Sequence, residues 1–210
     1  MASSVQLVRR GLLLNYATIG YNSAEAVIAL VAGLAAGSVA LVGFGVDSLI
    51  EVTASGAAQW RLRAELSPHW RERVERYTAR IIGICFLGLG AYVLIDSVVV
   101  LIGREPPERS WLGLGLLVLS AIVMPLLARA KLRVADGLQS RALRADAMQT
   151  SLCAYLSVIA LLGVGLNAAV GWWWADPVAA LAMTPIIVRE GIAAVRGQPH
   201  CDDSCGEGSS

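Results

Sequence analysis

Asp47 and Glu51 stand four residues apart within the apolar stretch LVGFGVDSLIEVTASGAA, and Gln149 and Cys153 stand four apart within ADAMQTSLCAYLSVIALL. On an α-helix, side chains at i and i+4 project from the same face. Two such faces turned toward each other supply three oxygen donors and a sulfur, which is a ligand set for a metal ion. Ionisable side chains within membrane-length apolar segments are expensive to bury, and this marks them as functional candidates. Two carboxylates one turn apart in a low dielectric do not both stay ionised unless a cation sits with them. The competing reading is an ion pair with a neighbouring helix, but no Lys or Arg falls at matching depth in any candidate helix.

The second pair has ordinary readings as well. A membrane glutamine often bonds a neighbouring helix, and cysteine often packs as a small hydrophobe. Asp146 precedes Gln149 by three positions and extends the same face, although it suits an N-terminal helix cap equally well. If all four residues ligate, the sulfur selects among ions. Thiolate suits Zn2+ or Cd2+ in four-coordinate geometry, whereas Mg2+ and Ca2+ prefer all-oxygen sites. Softer ions such as Cu+ and Hg2+ remain open. Amide oxygen is a poorer zinc ligand than imidazole, so orienting a ligand or water is the alternative role for Gln149. Metal binding needs deprotonated carboxylate and thiolate, so loading releases protons. Glu51 and Cys153 are then the candidate proton carriers, because the two histidines, His69 and His200, fall outside the apolar runs.

The elements that must position these residues are membrane helices. Of the 210 residues 56% are hydrophobic, and the charges cluster between long apolar runs instead of spreading over helix faces. Runs near twenty residues predict six helices at 12–36, 40–62, 77–102, 110–131, 142–170 and 175–195. The second is the least hydrophobic, as expected of a helix that lines a polar cavity. The expected fold class is an all-α integral membrane protein with six transmembrane helices. Residues 1–11 form an N-terminal segment, 12–196 the transport domain and 197–210 a polar tail.

All but two of the 17 Lys and Arg residues fall before helix one, in the second and fourth connections or after helix six. Only Arg104 and Arg109, balanced by Glu105 and Glu108, lie on the other side. By the positive-inside rule both termini are cytoplasmic, and a bacterial inner membrane is the expected location. The outline of a signal peptide after Arg9-Arg10 is interrupted by Asn15, Asn22 and Glu25, which favours a first membrane helix. Cys85 and Cys153 fall in helices and Cys201 and Cys205 in a reducing compartment, so no disulfide framework is expected. Cys85 is expected to be a packing residue. A net charge of +1 gives no sign of a nucleic-acid partner. No nucleophile–base pair or cofactor motif points to an enzyme or a prosthetic group.

Short connections around Ala36-Gly37-Ser38 and Trp172–Asp176 force antiparallel neighbours. Trp172, Trp173 and Trp174 read as an interfacial anchor. Asp176 followed by Pro177 reads as an N-cap and N1 pair opening helix six. Gly33 and Gly37 form a GxxxG spacing that permits close helix approach.

These stretches also carry a resemblance. GSVALVGFGVDSLIEV is similar to the second-helix signature of the cation diffusion facilitator family. SRALRADAMQTSLCAYLSV is similar to its fifth-helix signature, and ADPVAAL to the start of its sixth. The resemblance spans nearly all of residues 12–196. It implies a six-helix exporter of divalent transition metals, usually zinc, in exchange for protons, and usually a homodimer. The family's transport site uses DxxxD on helix two and HxxxD on helix five, which correspond here to Asp47, Glu51, Gln149 and Cys153. Glu51 keeps carboxylate chemistry with a longer reach, while Gln149 and Cys153 change it. Where the family usually continues into a soluble metal-binding domain, a short tail follows, which implies a transmembrane-only branch.

Other polar groups complete the picture. Asn22 and Glu25 suit supporting positions around ligands or an access path, and Asp96, near the end of helix three, suits the external mouth. Glu25, Asp96 and Asp146 are also candidates for a proton path. His200, Cys201 and Cys205 in the tail offer a metal-capture site or simply a solvated terminus. Two functions rival metal export: metal sensing or buffering without transport, and export of an organic cation through the acidic pair.

Overall fold

A computed structural model describes residues 2–63, 68–104, 106–138 and 141–196. The described chain consists of six helices in order: α1 Ala2–Ala36, α2 Val39–Arg63, α3 Pro68–Gly103, α4 Trp111–Leu138, α5 Arg141–Val170 and α6 Ala175–Val195. Each contains a segment long and apolar enough to cross a membrane. With every backbone N–H and C=O bonded inside its own segment, helices meet the demand that hydrocarbon places on a spanning chain. This is an all-α, multi-pass membrane protein.

Three boundaries differ from the sequence reading, one being α3, which opens at Pro68 about nine residues before its expected start. Helix α1 begins about ten residues before the expected start, so Arg9 and Arg10 lie within a helix. Helix α4 runs on to Leu138, about seven residues past its expected end, and holds Lys131 well within its length. The candidate tail ligands His200, Cys201 and Cys205 lie outside the described residues.

Helix α2 occupies the centre and packs against α1, α3, α5 and α6. Two-thirds of its spanning segment is buried (67%), against 28% for α3, α4 and α6, which present most of their surface outward. Helix α4 pairs with α5 and α1, and α3 pairs with α6. The apolar core gathers Leu41 and Phe44 of α2 with Leu117 and Met124 of α4, Leu156 of α5 and Met183 of α6.

Close approach of α1 and α2 depends on Gly33 and Gly45. A Cβ at Gly33 would lie 2.9 Å from the backbone nitrogen of Val42, and one at Gly45 would lie 3.0 Å from that of Leu30. Gly37 of the anticipated GxxxG meets nothing within 4 Å; its φ of +63° makes the turn into α2. The motif therefore divides into one packing glycine and one turn glycine. We expect Gly33→Ala to cost roughly 1–3 kcal/mol, read as a lower unfolding midpoint in detergent; an unchanged midpoint would contradict the close approach.

The two tight turns and the α3–α4 connection share one end of the bundle, here called the tight-turn end. The Glu108 N–H donates to the Ala36 carbonyl at 2.7 Å, and Asn167 Nδ2 donates to the Pro107 carbonyl at 3.0 Å. Trp172 and Trp174 stack with centroids 5.2 Å apart and are exposed, as suits an interfacial anchor. The opposite, arginine-rich end carries the α2–α3 and α4–α5 connections.

Asp176 corrects another expectation. Helix α6 begins at Ala175 with Trp174 as its N-cap and no side-chain cap, so Asp176 falls inside the first turn. Its buried carboxylate serves a different helix. Ser38 Oγ donates to Asp176 Oδ1 at 2.6 Å, and the backbone N–H groups of Val39 and Ala40 also point to it. Ser38 Oγ in turn accepts the Leu41 N–H at 3.2 Å. The start of α2 is thus capped by its own serine and by an aspartate from α6, placed where the helix dipole favours an anion.

Candidate functional site

The interior of the bundle carries polar stripes at helical spacing. On α2, Asp47, Glu51, Ser55 and Gln59 recur every fourth residue and all are buried. On α5, Asp146, Thr150 and Ser157 are buried along one side, with Cys153 between the last two, and Asn167 is buried near the helix end. On α1, Asn15, Thr18, Asn22 and Glu25 form a third buried stripe. A helix commits one face to its neighbours, so residues three and four apart arrive in the interior together.

Asp47, Glu51 and Cys153 meet where α2 faces α5. All three are 0% exposed, and Cys153 lies beside both carboxylates. No oxygen of Asp47 or Glu51 makes a well-formed hydrogen bond among the described residues, with Cys153 beside both and Thr150 beside Glu51 as the neighbouring donors. Buried carboxylate oxygens without donors carry a substantial desolvation penalty, and a cation is the species that relieves it. Glu25 joins them as a third acid within electrostatic reach of both. Ser48 Oγ donates to Glu25 Oε2 at 3.0 Å, and Tyr21 and Ser120 flank the same carboxyl. Glu25 thus approaches the pair from α1, and Asn22 is buried one turn away with both amide atoms unpartnered.

Gln149 is half-buried, with a buried Nε2 that lacks a partner, and it sits beside the innermost line of α5. Thr150, which the sequence reading passed over, occupies that line next to Glu51. Among the described residues, no three His, Cys, Asp or Glu side chains stand close enough to form a ready ligand cluster. In this conformation the candidate ligands are adjacent without being drawn onto a common point.

The largest correction concerns Lys131. A basic residue does lie near the depth of the acids. Lys131 is 1% exposed, and its Nζ sits 2.9 Å from Asp146 Oδ2. It also donates to Thr150 Oγ1 at 3.0 Å and to Ser55 Oγ at 3.3 Å, while Ser55 donates to Asp146 Oδ1 at 2.8 Å. Glu51 feels the charge of this ammonium. The network ties α2, α4 and α5 together on the arginine-rich side of Glu51. Asp146 is therefore the partner of a buried lysine and not a helix cap.

A sequence signal for Lys131 existed. The buried positions of α4 run Gly113, Leu117, Ser120, Met124, Ala128, Lys131 and Val134, so the lysine continues the inward stripe. Counting charges to orient the helices placed it in a connection and hid that phase.

The remaining candidates separate. Asp96 accepts a hydrogen bond from Tyr92 Oη at 3.1 Å and, with Gly37, Ser38, Pro106 and Pro107, lines a cleft of about 300 Å³ at the tight-turn end. Cys85 is exposed on α3.

Comparison with known proteins agrees with this architecture. Residues 16–196 match the family model described as the cation efflux transmembrane domain. The chain is also similar to an uncharacterized transporter of Synechocystis sp., with 27% identity over 180 residues that cover 80% of this chain and 57% of the relative. It thus spans little more than half the length of that transporter. The matched region takes in most of α1, all of α2 to α6 and every buried acid discussed above, so this six-helix membrane protein belongs to the cation efflux family.

Proposed function

We propose that the protein exports a divalent transition metal, zinc above others and cadmium or another soft ion as an alternative cargo, in exchange for protons. The observation that carries this reading is the meeting of Asp47, Glu51 and Cys153 in the bundle interior with their carboxylate oxygens unpartnered. Two carboxylates and a thiol form a mixed oxygen–sulfur donor set that suits Zn2+ or Cd2+ better than Mg2+ or Ca2+. Gln149 completes the set from α5, either by ligating or by orienting a ligand.

Alternating access carries the cargo between the two ends of the bundle around this midplane site. The arginine-rich end faces the cytoplasm, so both termini are cytoplasmic, and the membrane is a bacterial inner membrane. The transporter works as a homodimer, as the family resemblance implies, with residues 12–196 as its transport domain and 197–210 as a metal-capturing tail through His200, Cys201 and Cys205. Asp96 guards the release mouth. Glu25 and Asn22 support the ligands from α1, with Glu25 on the proton path.

Coupling follows from ligand chemistry. Cargo binds the deprotonated donors and protons replace it on release. Protons moving inward therefore drive metal outward, and acid on the release side accelerates efflux. The test is zinc flux in proteoliposomes with an imposed pH gradient. Flux should rise when the release side is acidified and fall when the gradient is collapsed. No flux for zinc, cadmium, cobalt or nickel under any gradient would reject the export reading.

A further inference from the structure

Gly11, Asn15, Thr18, Asn22 and Glu25 recur three or four residues apart on α1, and all are buried on one face. Asn15 and Asn22 are 0% exposed, and neither amide atom of either has a hydrogen-bond partner among the described residues. Buried amides without protein partners call for water. Thr18 Oγ1 donates to the Leu14 carbonyl at 2.9 Å, which leaves its oxygen as an acceptor on the same face. At the rise of an α-helix, the steps from Asn15 to Thr18, Asn22 and Glu25 are about 4.5, 6 and 4.5 Å. One water with two hydrogen bonds of about 2.8 Å bridges a step of that length.

The outer end of this file is stopped by carbon. One turn beyond Asn15, toward the arginine-rich end, Gly11 packs against α4 and α5. A Cβ there would lie 3.3 Å from Val134 Cγ1 and 3.9 Å from Leu143 Cδ1. Val134, Ala135 and Leu143 are buried as one cluster, with Leu14 against them. Apolar constrictions of this kind gate by excluding water.

We propose that α1 carries a single file of waters, positioned by Asn15, Thr18 and Asn22, through which protons pass between Glu25 and the arginine-rich end, with Val134 and Leu143 as its plug. This rests on the export reading above, in which incoming metal displaces protons from the site. The file gives those protons an exit of their own. Neutral amides and hydroxyls hold water without holding a charge, and a buried file one water wide excludes a hydrated metal ion. The plug keeps the file shut while the site opens to the other side, so the pH gradient does not discharge through it. Asn15, about 15 Å of helix rise from Glu25, is a positioning residue that acts through water.

Asn15→Leu keeps the branched outline of the side chain and dries the file, whereas Asn15→Ser keeps a polar group. In reconstituted vesicles Asn15→Leu should lower pH-driven net zinc efflux roughly tenfold or more, while zinc–zinc exchange, which discharges no protons, stays within about twofold of wild type. Asn15→Ser should retain most of the net efflux. Val134→Ser wets the plug and should give a zinc-independent proton leak roughly fivefold or more above wild type, which Asn15→Leu in the same chain closes. A leak through misfolded protein would survive that second substitution.

Equal loss of both transport modes in Asn15→Leu, or unchanged net efflux, would overturn the proposal. So would a Val134→Ser protein without a leak, or with a leak that Asn15→Leu leaves open. Wild-type protein that moves no zinc in either mode would reject the export reading alone, because the leak measurements read the file without metal.

Discussion

Replacing Asp47 by Asn is expected to abolish zinc efflux from proteoliposomes, with a fall on the order of 100-fold or more, while the protein remains folded and monodisperse. The size follows from what the substitution removes. Changes to residues that merely support metal ligands typically cost about 10–100-fold in affinity or activity, and a direct carboxylate ligand should reach or exceed the top of that range. Asn keeps the shape of the side chain and removes only its charge, so packing against α1 and α5 is preserved. Relief from burying an acid should even raise the unfolding midpoint slightly, since Asp47 has no hydrogen-bond partner among the described residues to lose. A variant that is more stable and inactive is the signature of a functional acid. Flux within a few-fold of wild type would remove Asp47 from the ligand set.

Cys153→Ser tests the other half of the site through selectivity instead of rate. The thiol lies beside both carboxylates at 0% exposure, and serine replaces sulfur with oxygen at nearly constant shape. A hydroxyl is a much harder donor, and the loss falls most heavily on the softest ion. The ratio of cadmium to zinc transport should drop about tenfold or more, with zinc itself reduced less. Parallel competition assays in the same vesicles measure that ratio without depending on reconstitution yield. An unchanged ratio would make Cys153 a packing residue, as buried cysteines often are.

The acidic pair was legible in the sequence because the physics is local. A carboxylate in an apolar run is conspicuous, and four-residue spacing fixes its companion on the same face. The order of helices was legible for the same reason, since length and hydropathy report directly on membrane crossing. Lys131 was not legible in that way. A lysine near the end of an apolar run satisfies the positive-inside pattern whether it snorkels outward or turns inward, and only the phase of the α4 stripe distinguishes the two. Asp176 was misplaced because Asp-Pro opens helices so often that its use in capping α2 from across the bundle carries no local mark. Thr150 was overlooked for Gln149 because family spacing drew attention to 149, while the inward line of α5 runs through 146, 150 and 153. Gly45 escaped notice because a single glycine has no spacing motif.

The Ser38–Asp176 cap has a mechanical consequence. It fastens the first turn of α2 to the first turn of α6 beside two tight connections, so the tight-turn end resembles a bolted joint. With a rise of 1.5 Å per residue, Glu51 lies about 20 Å from Ser38 and the far end of α2 about 38 Å from it. Rotation of about 10° around this joint would sweep Glu51 through roughly 3 Å and the far end through roughly 6 Å. The joint thus sets a lever ratio near two: any rotation about it moves the distant tips of α2 about twice as far as the site.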